Sequence, residues 1–293
     1  MSSTNTAARS LASPLLRTVG VLFRRQRSTI DANDLDYVDG VRRALEPSGI
    51  QVVIPVMTSS APLTELRALV RSGSLGGVVL MDVAQGDERE KMLLEERIPT
   101  VLIGSSGLSG GTPCVDTDFA QLAHAAVSHL AGLGHRRVIA LMRETAHDDS
   151  HARQDQAREL LRAADDLGMD VLVHQVPELA LAGSDVVGAG GLVEGCTAVI
   201  SNNPAACMGL ACAAHAHGLS IPADLSVLTL GVTEYRGRQG EAFSELSVDR
   251  ESMGTAVGTL LLTRLRGEPD PAERSTLMSA VLNDRGSTAH YWG

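Results

Sequence analysis

The sequence predicts an α/β fold made of two Rossmann-like, doubly wound parallel sheets. Short, continuously apolar segments alternate with amphipathic segments along the chain. Apolar segments of this kind are typical of strands that are buried on both faces in a parallel sheet covered by helices. The alternation restarts after Gly111, and 293 residues suit two domains of ordinary size. Two similar units in tandem therefore fit the pattern better than one large sheet.

The first half of the chain shows the pattern clearly. A helix is predicted from Leu35, because apolar residues recur at helical spacing until Pro47 and Gly49 stop it. Gly73 ends a second predicted helix. The predicted strands are 18–23, 50–56, 76–82 and 98–104, and the predicted helices are 35–46, 63–73 and 91–98.

The second half repeats the pattern. The predicted helices are 118–134, 151–168 and 205–218, and the predicted strands are 136–142, 170–176, 196–201 and 225–231. A last helix, 251–267, and a final apolar segment, 275–284, could belong to either unit, because periodicity alone does not assign them.

Composition excludes several classes of function. The hydrophobic fraction of 44% indicates a globular chain, and 25 basic against 35 acidic residues give a net charge of −10. That charge argues against a wholly basic nucleic-acid coat, and 2% aromatic residues argue against stacking platforms. No apolar segment reaches the roughly 20 residues of a membrane span, and the N-terminus does not resemble a signal peptide. The four cysteines lack CxxC spacing, so we expect buried free thiols rather than disulfides or a zinc site. Together these features predict a cytoplasmic protein without membrane contact.

No motif predicts an enzyme, a metal site or a cofactor. His147 and His151 have the i, i+4 spacing of a zinc pair, but the segment between them reads as a solvated loop or a helix start. The glycines of 187–191 resemble half of a dinucleotide fingerprint without the long helix that should follow. Ser105 lies in a segment that misses the GxSxG spacing of a hydrolase.

The candidate ligand-binding residues follow the predicted strands, because ligands of open parallel sheets bind at the carboxyl ends of the strands. Two such sheets facing each other would form a cleft. Those positions are Phe23 and Arg24, Met81 and Asp82, Gly104 and Ser105, Arg143, Asn202 and Asn203, and Gly231 to Glu234.

Three of the candidates have a purely structural alternative. Arg24 belongs to a basic cluster that either faces an anion or is a solvated loop. Arg153, at the start of a helix, points into the cleft or lies on the surface, and Asn203 binds ligand or caps a helix.

Several segments resemble the LacI/GalR family of transcriptional regulators, in order and over nearly the whole chain. The most specific is His129–Ala140, which resembles the HLxxLGHRRIA signature of that family. The other similar segments are Thr197–Asn203 with Met208–Leu210, Gly218–Val227, Val248–Gly254 and Gly286–Thr288.

The resemblance implies a periplasmic-binding-protein-like fold of type I that forms a homodimer. A small effector in the cleft would shift two subdomains and so change the affinity for operator DNA. The implied domains are a hinge-helix remnant and linker at 1–17, an N-terminal subdomain at 18–116 plus 249–276, and a C-terminal subdomain at 117–248 plus 277–293.

The family's ligand positions fall on Arg153, Asn203 and Asp149, and its minor-groove leucine falls on Leu11. With Phe23, Arg24 and Met81 from the strand ends, these residues complete the predicted sites. We expect the effector to be a sugar, a sugar phosphate or another polar metabolite. The family's aromatic loop reads Asp31–Asp34 here, which favours a polar or anionic ligand over a stacked sugar.

The sequence thus predicts the effector-sensing and dimerisation core of a LacI-type repressor. The family's helix-turn-helix headpiece is not recognisable in this sequence, so operator binding is expected only with that headpiece. The alternative is a solitary solute-binding protein of the same fold.

Overall fold

The computed structural model describes residues 17–24, 34–57, 61–108, 111–144, 151–187, 195–231 and 243–292. The chain divides into two compact units, each with its own six-stranded sheet. Unit 1 takes in Met1–Asp116, Asp149–Ala152 and Asp249–Met278, and unit 2 takes in Thr117–Asp148, Arg153–Val248 and Ser279–Gly293.

The described helices and strands alternate along most of the chain. In chain order they are β1 (Thr18–Leu22), α1 (Asp34–Leu45), β2 (Gln51–Val53), α2 (Pro62–Arg71), β3 (Gly77–Leu80), α3 (Glu88–Glu95), β4 (Thr100–Ile103), β5 (Cys114–Thr117), α4 (Phe119–Gly132), β6 (Arg137–Arg143), α5 (His151–Leu167), β7 (Asp170–Val176), α6 (Ala180–Ser184), β8 (Ala198–Ser201), α7 (Pro204–Ala216), β9 (Ser226–Leu230), β10 (Ser244–Ser247), α8 (Arg250–Leu265), β11 (Ser275–Met278) and β12 (Val281–Asn283). A short 3₁₀ helix, Glu46–Ser48, extends α1.

The sheet of unit 1 has the strand order β11-β5-β4-β3-β1-β2. The pairs from β2 through β5 are parallel, with Val21 opposite Val79 in the centre. Strands β1 and β3 consist almost entirely of buried apolar residues, since helices cover both faces of the sheet.

The sheet of unit 2 has the order β12-β10-β9-β8-β6-β7. Its pairs are parallel except for β10 with β12, which is antiparallel. One apolar core of this unit lies between the sheet and α7, and includes Ile139, Val199, Leu210 and Val227.

The predicted fold class is confirmed: both units are α/β with mostly parallel sheets. The sequence did not reveal β5, β10 or α6, because each is only four or five residues long and two of them are rich in polar residues. The final apolar segment belongs to both units: β11 joins the first sheet and β12 joins the second.

Helices α1 and α8 of unit 1 approach each other closely enough for their main chains to touch. A Cβ atom on Gly254 would overlap the carbonyl oxygen of Tyr37, and one on Gly40 would overlap that of Glu251. Arg250, in the first turn of α8, places its guanidinium 5.8 Å from the centre of the Tyr37 ring. Glycine is therefore required at these two positions by the helix packing rather than by a turn.

The cysteines are free, as predicted; Cys114, Cys196 and Cys207 are buried, whereas Cys212 is only half-buried. Burial raises the pKa of the Cys207 thiol to about 11. Across the described ranges no helix combines the length and the apolar character that a membrane span needs.

Candidate functional site

In unit 1, the carboxyl ends of β1 and β3 bring together the first group of predicted residues. Phe23 and Met81 are only 6% and 4% exposed, so their side chains are buried. Arg24 is half-buried and Asp82 is exposed. These two charged residues are the polar groups that the ends of β1 and β3 present. The roles predicted for Phe23, Arg24 and Met81 as ligand contacts stay predictions.

The backbone of Asp82 has a φ of 51°, in the left-handed region that few residues other than glycine adopt. Gly104, which follows β4, has a φ of 95°. The chain thus leaves the ends of β3 and β4 through residues with positive φ. At Asp82, unlike at a glycine, this conformation carries backbone strain, and such strain is concentrated at binding and catalytic sites in proteins.

In unit 2, Asn202 joins the carboxyl ends of β6 and β8 to helix α5. Its Oδ1 accepts a hydrogen bond from Arg143 N at 2.8 Å, and its Nδ2 donates to Gln156 Oε1 at 2.5 Å. Asn202 and Arg143 are both half-buried. The guanidinium of Arg143 lies 3.3 Å from Glu178 Oε1, so amide, cation and carboxylate groups lie at the ends of these strands.

Asn203 is the N-cap of α7 in this structure, and its predicted role as a ligand contact stays a prediction. Its side chain is 0% exposed and caps α7: Oδ1 accepts from Ala206 N at 3.1 Å. Its Nδ2 donates to the carbonyl oxygens of Val176 and Pro177, so both amide hydrogens are used within unit 2. The capping alternative therefore describes the contacts of Asn203 in this structure. The neighbouring Asn202 is the one that stays partly exposed.

Arg153 lies in the first turn of α5, at the third residue of the helix. Asp149, Leu11, His147 and the glycine segment 188–191 lie outside the described residues. Among the residues that are described, no group of three or more His, Cys, Asp or Glu side chains could hold a metal ion.

A groove of about 350 Å³ lies in unit 2 between β7 and α6. Apolar residues such as Val176, Pro177 and Leu181 form most of its lining, with His174 and Asp185 as the polar groups. This lining differs from the polar strand ends, and we assign no ligand to it.

The segments that resemble LacI/GalR regulators hold unit 2 together. His135, only 2% exposed, bonds Thr197 Oγ1 at 2.7 Å, Ser226 Oγ at 3.1 Å and the carbonyl of Ala289 at 3.2 Å. Ser287 Oγ accepts from Ser244 N at 2.7 Å and donates to Val227 O. These side chains fix the C-terminal segment to the sheet. The resemblance at these positions therefore indicates a shared fold and does not identify a ligand.

Asp249 plays a similar part at the beginning of α8. Its Oδ1 accepts from Ser252 N at 2.9 Å, the geometry of a helix N-cap. The hydrogen bonds from Ser252 hold the pKa of the Asp249 carboxyl below its usual value.

One pair that sequence reasoning missed lies beneath the strand ends of unit 1. The buried guanidinium of Arg89 lies 2.8 Å from Asp87 Oδ2 and also donates to the main-chain carbonyls of Leu22, at the end of β1, and Met81, directly after β3. No spacing in the sequence could have revealed this, because the acceptors are main-chain carbonyls, which any residue carries, and Leu22 lies 67 positions away in the chain.

Comparison with known proteins decides the family. The sequence profile described as "Periplasmic binding protein-like domain" matches residues 127–288, more than half of the chain. The chain belongs to this family. The resemblance to the effector-binding core of LacI/GalR regulators is thereby confirmed.

Among curated proteins, an uncharacterized HTH-type transcriptional regulator of Streptomyces limosus is 25% identical over 264 residues, which cover 87% of this chain and 75% of the relative. Among solved structures, a putative LacI transcriptional regulator from Bacillus cereus subsp. cytotoxis has a TM-score of 0.81 at 16% identity, covering 94% of this chain and 99% of its own. A complex of the transcriptional regulator CelR with cellobiose has a TM-score of 0.76 at 21% identity, covering 92% and 84%. These structures share the fold with this chain, and the similar proteins are named as regulators rather than enzymes.

Proposed function

We propose that this chain is the effector-sensing and dimerisation core of a LacI-type transcriptional repressor. The match to the periplasmic binding protein-like family over 127–288 carries the proposal. The ligand binds at the carboxyl ends of the strands, where each unit offers polar groups on a rigid sheet. The family description also fits the alternative, a solitary solute-binding protein.

The ligand is a small polar metabolite, such as a sugar, a sugar phosphate or a carboxylate. Asp82 in unit 1, and Asn202 and Arg143 in unit 2, supply acceptors and donors at the strand ends. Arg153 supplies a further cation from the first turn of α5. Since only 2% of the residues are aromatic, recognition depends on hydrogen bonds and charge rather than on stacking.

Binding of this ligand changes the affinity of a homodimer for operator DNA through a helix-turn-helix headpiece. Curated relatives carry the name HTH-type transcriptional regulator, which supports a headpiece as the partner of this core. Asp149 at the ligand and Leu11 at the DNA minor groove remain part of the proposal. The protein then works in the cytoplasm, where the operator is.

A thermal-shift screen of the 293-residue chain tests the ligand, with cellobiose, maltose, sugar phosphates, nucleosides and carboxylates as probes. A probe at 100 times its Kd stabilises the folded state by about 2.7 kcal/mol, which raises the Tm by several degrees. A flat result across all the probes would contradict the proposed ligand class.

Calorimetry with the strongest probe then tests the site. Arg153→Ala should weaken binding by about 1.5–3 kcal/mol, the cost of losing a charged hydrogen bond. Arg158→Ala is the matched control, because Arg158 lies on the same helix with its side chain 63% exposed in ion pairs to Asp155 and Glu159. Equal affinities for both variants would remove Arg153 from the site.

Sedimentation velocity separates the two candidate functions. A stable dimer at micromolar concentration is the result expected of a repressor core. A monomer at every concentration would favour the solitary solute-binding protein.

A further inference from the structure

One buried arginine connects the carboxyl ends of two neighbouring strands in unit 1. Arg89, on α3, is 8% exposed. Its Nη1 donates to Leu22 O at 3.3 Å, at the end of β1. Its Nη2 donates to Met81 O at 2.9 Å and Asp82 O at 3.2 Å, directly after β3.

Asp87 fixes the plane of this guanidinium. Arg89 Nε lies 3.1 Å from Asp87 Oδ1, and Nη2 lies 2.8 Å from Oδ2, a bidentate arrangement. The same carboxylate accepts from the main-chain nitrogens of Ala84 at 3.1 Å and Arg89 at 2.9 Å, so it also caps α3. Burial raises the pKa of Asp87, but the hydrogen bonds and the charge of Arg89 outweigh burial and leave that pKa below its usual value. The Asp87 carboxyl is therefore ionised at neutral pH.

The two carbonyls bound by Arg89 Nη2 flank a strained residue. Met81 O and Asp82 O belong to the peptide groups on either side of the Asp82 Cα atom. Their positions therefore depend on the φ and ψ angles of Asp82, whose φ is 51°. Aspartate enters this region more readily than most residues other than glycine, but still at a conformational cost that its surroundings must offset. Arg89 Nη2 donates to both carbonyls, and this pair of hydrogen bonds restrains the φ and ψ angles of Asp82.

We infer that Arg89 is a positioning residue: it holds Asp82 in the left-handed conformation that sets the direction of its exposed carboxylate at the ligand-binding end of β3. The inference rests on the proposed function, in which ligands bind at these strand ends. Arg89 itself is buried and acts through the main chain. Asp87 acts one step further away, by orienting Arg89.

Hydrogen–deuterium exchange of Arg89→Lys tests the restraint. Lysine keeps a cation beside Asp87, but its point charge cannot direct planar donors at three carbonyls. The amides of residues 80–86 should exchange about tenfold faster, while other strands keep their protection. Arg71→Lys is the control, because Arg71 makes an exposed ion pair with Glu96. Uniformly faster exchange in Arg89→Lys would show a merely structural role and overturn the inference.

A double-mutant cycle gives an independent readout that a merely structural role does not move. Asp82→Gly removes the steric cost of the left-handed backbone. The increase in the unfolding equilibrium constant caused by Arg89→Lys should then be about tenfold smaller in the Asp82→Gly background than in the natural chain. In an Asp82→Ala background it should be as large as in the natural chain, since alanine retains the strain. Additive effects of Asp82→Gly and Arg89→Lys would contradict the inference.

Neither measurement uses a ligand or DNA, so failure of the ligand screen would leave both readable. Ligand binding combined with an additive cycle would overturn the role of Arg89 alone. If Arg89→Lys does not fold, Asp87→Asn carries the same cycle, because it loosens the orientation of Arg89 and keeps the arginine.

Discussion

Replacing Gly254 by alanine should destabilise unit 1 although alanine is the better helix former. An alanine Cβ would overlap Tyr37 O on α1 and would lie 2.9 Å from Tyr37 C and 3.1 Å from the Cα of Gly40. All three neighbours are main-chain atoms, so no side chain can rotate away and the helices must separate.

The size of the effect follows from two opposing contributions. Overpacking costs about 1–3 kcal/mol and more where backbone must move. The higher helix propensity of alanine over glycine offsets at most about 1 kcal/mol of that destabilisation. The free energy of unfolding should therefore fall by about 2 kcal/mol, which urea denaturation monitored by circular dichroism resolves.

Gly132→Ala is the matched control for this measurement. Gly132 is the last residue of α4, and a Cβ atom there would meet nothing within 4 Å. This variant should be as stable as the natural chain or more stable by up to about 1 kcal/mol. If Gly254→Ala gave the same result as Gly132→Ala, the main-chain contact between α1 and α8 would be refuted.

Two further predictions concern pH and helix capping. Burial lowers the pKa of His129 and His135, so the unfolded chain binds more protons than the folded chain just below pH 6.5, and stability should fall from pH 7 to 5. Urea denaturation at pH 7 and pH 5 should show a smaller fall in the free energy of unfolding for a His129→Gln/His135→Gln variant than for the natural chain. An equal fall in both proteins would contradict this prediction. Asp249→Ala should lower the free energy of unfolding by about 1 kcal/mol through loss of the α8 N-cap. Asp249→Asn, which keeps a capping oxygen, should lose less, and equal losses would argue against the cap.

The fold could be predicted because most strands are continuous apolar segments that need no partner to be recognised. Strand β10 could not, because its sequence, Ser-Glu-Leu-Ser, looks exposed. Glu245 in that strand is nevertheless 1% exposed, with Oε1 near the side-chain nitrogens of Arg285 at 3.3 Å and Asn283 at 3.2 Å. Both partners come from the far C-terminal segment, so the burial is decided by tertiary contacts.

The candidate site was predictable only as a set of positions. Parallel strands place ligands at their carboxyl ends, which singles out both Asn202 and Asn203. Which of the two faces outward depends on where α7 begins, and the N-cap is Asn203. A difference of one residue thus exchanges a buried cap for a partly exposed amide, and element boundaries are the part of a sequence pattern that is least well defined.

The last strands of the chain have a consequence for biosynthesis. Helix α8 and strand β11 belong to unit 1, although all of the unit 2 strands except β12 precede them in the chain. A ribosome therefore makes almost all of unit 2 before unit 1 can acquire its edge strand and the helix that packs on α1. Unit 1 cannot complete its fold during the synthesis of its own first segment, and the nascent protein must keep apolar surface of α1 uncovered until residue 265 has emerged. Chaperone dependence during translation should then be concentrated on the first-made unit.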